Sequence, residues 1–263
     1  MRMYSSRLGM MFSSHWFSHS VRSLDVSMLV ECIWGPKWRK LKGNSQLGPA
    51  MHGEDTTTWR SAAEVFHQWA IDGKDAGMEK GHGPAVEEML VSSLMYVAEL
   101  GKKFRALDIG CGNGWVTRKL AAHPHCIQAI GIDAAEAMID KAKQIDEAGE
   151  YHHCDLMQWR PEGGFDLIHS METMYYLKDP GQAIKRIASW LNEGGLFVMG
   201  VDHYRENEES IDWPQKVKTP MTLHSESEWK DLFTSAGLEI SNHWRAAAKE
   251  GWAGTLVIIG RKV

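Results

Sequence analysis

The 263-residue sequence is short of several things, and each shortage removes a class of answer. No stretch approaches the roughly 18–20 apolar residues of a membrane-spanning helix, so no membrane partner is expected. The four cysteines, Cys32, Cys111, Cys126 and Cys154, are scattered, and none falls in a C-x-x-C pair. That spacing encodes neither a disulfide framework nor a zinc site and fits reduced thiols in an intracellular, cytoplasmic or organellar compartment. Histidine is plentiful at 13, yet only His152-His153 and the looser His123/His125 pair cluster, without the i, i+4 spacing of a metal-binding helix face. No metal is expected. No internal repeat or low-complexity tract is visible.

Acidic residues are absent from the first 24 positions, which carry three arginines (Arg2, Arg7, Arg22) and seven serines. Residues 1–50 hold seven Lys/Arg against two Asp/Glu, and the remainder 22 against 32. The start has the composition of an organellar transit peptide; the alternative is a dispensable extension with Met51 as the effective start. Gly43, Gly48 and Pro49 mark a linker. The acidic remainder, residues 51–263, argues against a nucleic-acid partner.

What is present centres on Ala106-Leu-Asp-Ile-Gly-Cys-Gly-Asn-Gly-Trp115. Phe104 to Ile109 has the length and apolarity of a buried strand. Gly110, Gly112 and Gly114 follow at alternate positions, where positive φ and close ligand approach are open. From Trp115 the pattern turns helical, with Val116, Leu120 and Ala121 on one face. Strand, turn and helix N-terminus together predict a pocket lined by N–H groups. A dinucleotide fingerprint, G-x-G-x-x-G, needs a small residue at position 115, where Trp115 stands.

Before that turn, a helix is expected from Thr56, capped by Thr56 or Thr57, with Trp59, Ala63, Phe66, Trp69 and Ala70 at helical spacing. Residues 71–83, with Gly73, Gly77, Gly81 and Gly83, read as a loop, and Pro84 as the first turn of a helix running to Gly101. Residues 51–100 thus form an N-terminal helical lid. After the turn, Ile127–Ile132 is a second strand with Asp133 at its tip, where an acid can hold ribose hydroxyls beside the first turn. Tyr151–Leu156 is a third strand and its tip, Phe165–Ser170 a fourth, and Leu196–Gly200 a fifth. Residues 202–224 break the alternation and read as a polar inserted flap. Ser225 and Glu228 form a capping box for a helix to Ala236. Leu238–Ala246 and Thr255–Arg261 close the chain as an antiparallel pair.

The D-x-G-x-G-x-G run of Asp108, Gly110, Gly112 and Gly114 resembles the class I S-adenosylmethionine (SAM)-dependent methyltransferases. So do the acids at the second and third strand tips, the Phe165-Asp166…Leu177-Lys-Asp179 stretch, the Gly194-Gly195 pair and the terminal hairpin. The resemblance runs from about Phe104 to the C-terminus. It implies a Rossmann-like α/β fold with a seven-stranded, mostly parallel sheet, helices on both faces and an antiparallel last strand. It implies SAM as cofactor, with Gly110 and Gly112 at its methionine portion, Asp133 on the ribose, Asp155 and Leu156 at the adenine, and Ser170 on the methyl-donor side. Asp108 would steady the loop. No [DN]-P-P-[YFW], no Pro-Cys nucleophile and no catechol-type metal-binding Asp follow, so the acceptor implied is a small molecule.

Methyl transfer from an activated donor asks for alignment, exclusion of water and, where needed, a proton acceptor. The 71–83 and 202–224 segments would close over the cleft, and Trp115, Tyr175 and Tyr176 would shield the sulfonium. Glu172, His203 and Tyr175, at the fourth and fifth strand tips, are the catalytic candidates. Two other readings stay open on these residues: a nucleotide-dependent oxidoreductase, and a non-catalytic SAM-binding or scaffold protein.

Overall fold

A computed structural model describes residues 59–99 and 101–263. The basic extension of residues 1–50 and the caps expected at Thr56 and Thr57 lie outside them. The chain runs α1 (Ala62–Ile71), α2 (Ala76–Glu99), β1 (Phe104–Ile109), α3 (Trp115–Ala121), β2 (Cys126–Asp133), α4 (Glu136–Ile145) and β3 (Glu150–His153). It continues with β4 (Phe165–Met171), α5 (Pro180–Trp190), β5 (Leu191–Val201), α6 (Trp213–Val217), α7 (Glu226–Ser235), β6 (Leu238–Ala246) and β7 (Thr255–Lys262). The seven strands form one sheet in the order β3-β2-β1-β4-β5-β7-β6, and only β7 runs against its neighbours. The sequence resemblance implied this sheet.

β1 and β4 are neighbours although β2 and β3 intervene in the chain, so the strand order reverses between them. A crevice opens beyond the C-terminal ends of strands at such a reversal. Side chains from both faces fill the core. On one, Phe197 of β5 stacks on Phe233 of α7 with centroids 5.1 Å apart, beside Trp229, Ile184 and Ile187. On the other, Val86 and Met89 of α2 and Val116 and Leu120 of α3 pack on Phe104, Val198 and Val257. Strands covered on both faces read as continuous apolar runs, as β1 and β7 do.

Local chemistry sets the helix starts. Ser225 and Glu228 form the expected reciprocal box at α7. Asp179 accepts the N–H of Gln182 at the head of α5, with Pro180 in the first turn. At α1 the structure corrects the sequence reading. Ser61 is the cap, in a second capping box with Glu64, and Trp59 and Arg60 precede the helix.

The expected 71–83 loop is also corrected. Only a short turn separates α1 from α2, and α2 begins at Ala76 and runs through Gly77, Gly81, Gly83 and Pro84. A proline ring clashes with the Cβ of the preceding residue in helical geometry, and Gly83 has none. Burial of Ala85, Val86, Met89 and Leu90 then holds a helix that intrinsic propensity would break.

The 202–224 segment is polar, as expected, but not a free flap. Asp202, His203, Tyr204, Asn207, Ser210 and Thr219 are buried, and internal partners take up most of their polar atoms, Asn207 Oδ1 and His203 Nε2 excepted. Asn207 Nδ2 donates to Asp202 O, the Ser210 hydroxyl to Asn207 O, and Tyr204 OH to Gly254 O. The segment is also sewn to the N-terminal helices. Arg60 N–H donates to Lys218 O (2.9 Å), and the Thr219 hydroxyl donates to Arg60 O (2.6 Å).

Candidate active site

β1 delivers the chain to Gly110, Gly112 and Gly114, all in the left-handed region at φ 71°, 53° and 80°. The tight reversal has one consequence that sequence reasoning missed. The N–H groups of Gly110 and Cys111 both donate to Ile132 O, that of Gly112 to Asp133 Oδ2 (2.9 Å), and that of Gly114 to Cys111 O. The N–H-lined anion pocket expected there is thus spent on protein acceptors at these four positions. A pyrophosphate would need those donors; a ligand without phosphate does not.

A cavity of about 300 Å³ opens above this turn. Gly110, Gly112, Asp133, Asp155, Leu156, Glu172 and Tyr175 line it, together with Phe66, Trp69 and Met78 of α1 and α2 and Trp213 of α6. At Gly112 a Cβ would project toward open space, with Met138 Sδ its sole near neighbour at 4.0 Å. The backbone there is bare for a ligand. Asp133 spends one lone pair of Oδ2 on Gly112 N–H and one of Oδ1 on Ala135 N–H (2.8 Å). A carboxylate has about four acceptor sites, so both oxygens retain capacity for a vicinal diol. Burial pushes its pKa up. Asp155, at the third strand tip, also accepts the N–H of Met157. The glycine cradle, the paired-acceptor acid and the apolar shelf of Leu156 fit an adenosine attached to a short chain.

Three expected site residues stand back from the cavity. Asp108 is buried beneath the turn, where it accepts the Thr117 hydroxyl (2.8 Å) and faces His169 Nδ1 (3.1 Å). Ser170 is buried and donates to Ile109 O; Thr173, three residues on, lines the cavity in its place. His203 is buried behind the wall, with Nδ1 against Ser210 O at 2.9 Å, so its expected access to an acceptor is corrected. It stacks on Trp213, meets Tyr175 edge-on and shapes the wall. Trp115 packs with the α2–α3 core and borders only a small adjoining recess; Tyr175 and Tyr176 do face the cavity.

At the inner end of the cavity lies a cluster of acids. Glu172 sits in the left-handed region at φ 56°, a conformation that costs a non-glycine residue about 1–3 kcal/mol and recurs at functional sites. Its Oε1 accepts Asp202 N–H (2.5 Å) and its Oε2 accepts Tyr175 OH (2.6 Å). Burial, then the neighbouring Asp202 charge, pushes Glu172 well above its ordinary 4.5. Burial also raises Asp202, which the Thr255 hydroxyl (2.6 Å) and His82 oppose. His82 and Asp202, 120 residues apart, face each other at 3.7 Å. No local pattern marks this pair, because nothing local fixes the phase of α2.

The Glu172 shift makes a prediction. An acid whose folded pKa is raised contributes stability that is full below its unfolded value and is lost as pH rises through the folded one. Glu172→Gln keeps the shape and removes the titration. Urea unfolding between pH 4.5 and 8 should show the variant gaining on wild type as pH rises. A pH-independent difference would mean that Glu172 ionises normally.

These features define a class I SAM-dependent methyltransferase. A family model described as a methyltransferase domain matches residues 84–243, more than half of the chain, and the chain belongs to that family. It is 27% identical over 175 residues to a trans-aconitate 2-methyltransferase of Escherichia coli O139:H28, a match covering 62% of this chain and 64% of that protein. The chain therefore spans about two thirds of that relative. In fold it is similar to a Haloferax volcanii putative methyltransferase solved in complex with the Trm112 activator, with a TM-score of 0.67, 24% identity and coverage of 77% and 98%. It is likewise similar to the N-methyltransferase NodS of Bradyrhizobium japonicum WM9, solved with S-adenosyl-L-homocysteine (TM-score 0.52, 24% identity, 68% and 88%).

Proposed function

We propose that the chain transfers the methyl group of SAM to a small-molecule acceptor bound in the aromatic half of the cavity. SAM supplies a methyl group already activated by its sulfonium. The observation that carries the proposal is that one cavity joins the glycine turn and Asp133 to the walls formed by α1, α2 and α6. Its volume suits small molecules.

Within this reading, Gly110 and Gly112 let the amino-acid portion lie against bare backbone. Asp133 takes the ribose hydroxyls, and Asp155 and Leu156 flank the adenine. Asp108 acts from beneath by holding α3 through Thr117. Helices α1 and α2 form the lid, and α6 completes the roof. Tyr175 and Tyr176 present ring faces that attract a cation. The arrangement aligns the reactants and excludes water, which is what this chemistry asks of a protein.

Calorimetry tests the proposal. SAM should bind with one-to-one stoichiometry, and NAD and NADP should give no heat. Nicotinamide binding without SAM binding would restore the oxidoreductase reading.

A further inference from the structure

His82 lies on α2 with its ring at the cavity wall, while Asp202 follows β5 on the far side of the sheet reversal. Asp202 is rigidly held. Its Oδ1 accepts the Thr255 hydroxyl at 2.6 Å and its backbone oxygen accepts Asn207 Nδ2 at 2.7 Å. That leaves Oδ2 facing His82 Nδ1 at 3.7 Å. This is ion-pair rather than hydrogen-bond distance, as is common for catalytic pairs before substrate binds. A proton on Nδ1 pointing to the carboxylate leaves the Nε2 lone pair as the ring's free base.

We propose that His82, oriented by Asp202, is the proton acceptor for methyl transfer, and that the substrate is a hydroxyl or amine on an apolar body without carboxylates. This rests on the methyl-transfer reading and adds its base and its acceptor class. The acceptor's lone pair forms the new bond to the methyl carbon as the carbon–sulfur bond breaks, and that bond's electron pair stays on sulfur. The proton leaving the acceptor's O–H or N–H passes to Nε2, and the resulting imidazolium faces Asp202.

The electrostatic surroundings agree. The titratable groups facing His82 are Asp202, then Glu172, Tyr175 and Tyr176 beyond β4, with Asp108 and Cys111 across the adjoining recess. Burial lowers the His82 pKa against the pull of Asp202, so the ring is neutral and basic near pH 7. Asp202 Oδ2 is the carboxylate oxygen nearest the ring, so it is the group placed to meet the imidazolium.

The cavity walls define the acceptor. Phe66, Trp69, Met78, Tyr176 and Trp213 make an apolar chamber. Among its described lining residues Lys74 is the one cation near pH 7. It stands at the rim, half exposed and paired with Asp72 at 3.1 Å. Asp133, Asp155 and Glu172 border the same space. A di- or tricarboxylate would lose its hydration here and find acids instead of cations, a cost that burial without pairing never recovers. The acceptor thus differs in charge from that in the trans-aconitate enzyme's name.

Two experiments test this. In the first, the protein is given radiolabelled SAM with 2-naphthol, tryptamine or trans-aconitate. Methylation of 2-naphthol or tryptamine and none of trans-aconitate is expected. With the methylated probe, His82→Gln should lower kcat by about 10²–10⁴ and abolish the acid limb of its pH profile, with the SAM Kd within threefold. Added imidazole should partly rescue His82→Ala. In the second, ring-nitrogen NMR of the protein without SAM should show His82 as the neutral Nδ1–H tautomer at pH 7, with Asp202→Asn shifting that tautomer balance.

Trans-aconitate as the preferred probe, or SAM binding with no probe methylated, would overturn the acceptor class. An unchanged pH profile in a folded His82→Gln, or an Nε2–H tautomer in the wild type, would overturn the base. Failure of SAM to bind at all would instead strike the methyl-transfer reading itself.

Discussion

Gly110→Ala is expected to remove measurable SAM binding and to destabilise the protein. A Cβ at this position would lie 1.9 Å from Thr173 Oγ1 and 2.8 Å from its Cγ2, with the backbone at φ +71°. Thr173 cannot simply turn away, because its hydroxyl donates to Met171 O at 3.0 Å and reaches Ile109 O at 3.4 Å. Two costs combine. An L-residue in the left-handed region costs about 1–2 kcal/mol, and overpacking costs about 1–3 kcal/mol. Together they approach a large share of the roughly 5–15 kcal/mol that holds a domain folded. Urea unfolding and SAM calorimetry measure both effects. Adding Thr173→Gly should recover the steric part and leave the backbone part. Wild-type stability in the single variant would show that the turn is built differently.

Asp133→Ala should weaken SAM binding by about 1.5–3 kcal/mol, the worth of hydrogen bonds to a charged group, or roughly tenfold to a hundredfold in Kd. The structure adds a second route to this loss. Asp133 Oδ2 also anchors the N–H of Gly112, so its removal frees the middle of the glycine turn. Asp133→Asn, which keeps one acceptor oxygen, should fall between the two. Calorimetry on folded protein decides the matter; unchanged affinity in Asp133→Ala would remove the residue from the site.

These two residues were legible in the sequence because their positions follow from local rules. A strand ending in alternate glycines turns back on itself, and an acid at the next parallel strand's tip lies beside it. The capping box at Ser225 and Glu228 was equally local. The α2 helix was not, because Gly77, Gly81, Gly83 and Pro84 disfavour helix intrinsically and only packing of Val86 and Met89 on the sheet overrides them. His203 reads as a candidate because it adjoins a strand tip, yet its ring turns into the wall. His82 enters the cavity only through the phase of a helix that the sequence did not reveal. Ser170 and Thr173 exchange places for a similar reason. Whether a hydroxyl at a strand end faces the neighbouring strand or the cavity depends on where the chain leaves the sheet.

The seam between Arg60 and the Lys218–Thr219 pair braces the rim of the cavity. Two hydrogen bonds close it across 159 residues of chain. Each is worth about 0.5–1.5 kcal/mol net. Together they contribute about 1–3 kcal/mol to holding the N-terminal segment in place. Ser61, Ala62 and Ala63 on one side of the seam and Trp213 and Val217 on the other line the cavity, so the two bonds hold opposite parts of its rim together. Thr219→Val, which removes one of the two bonds, should therefore cost about 0.5–1.5 kcal/mol in stability.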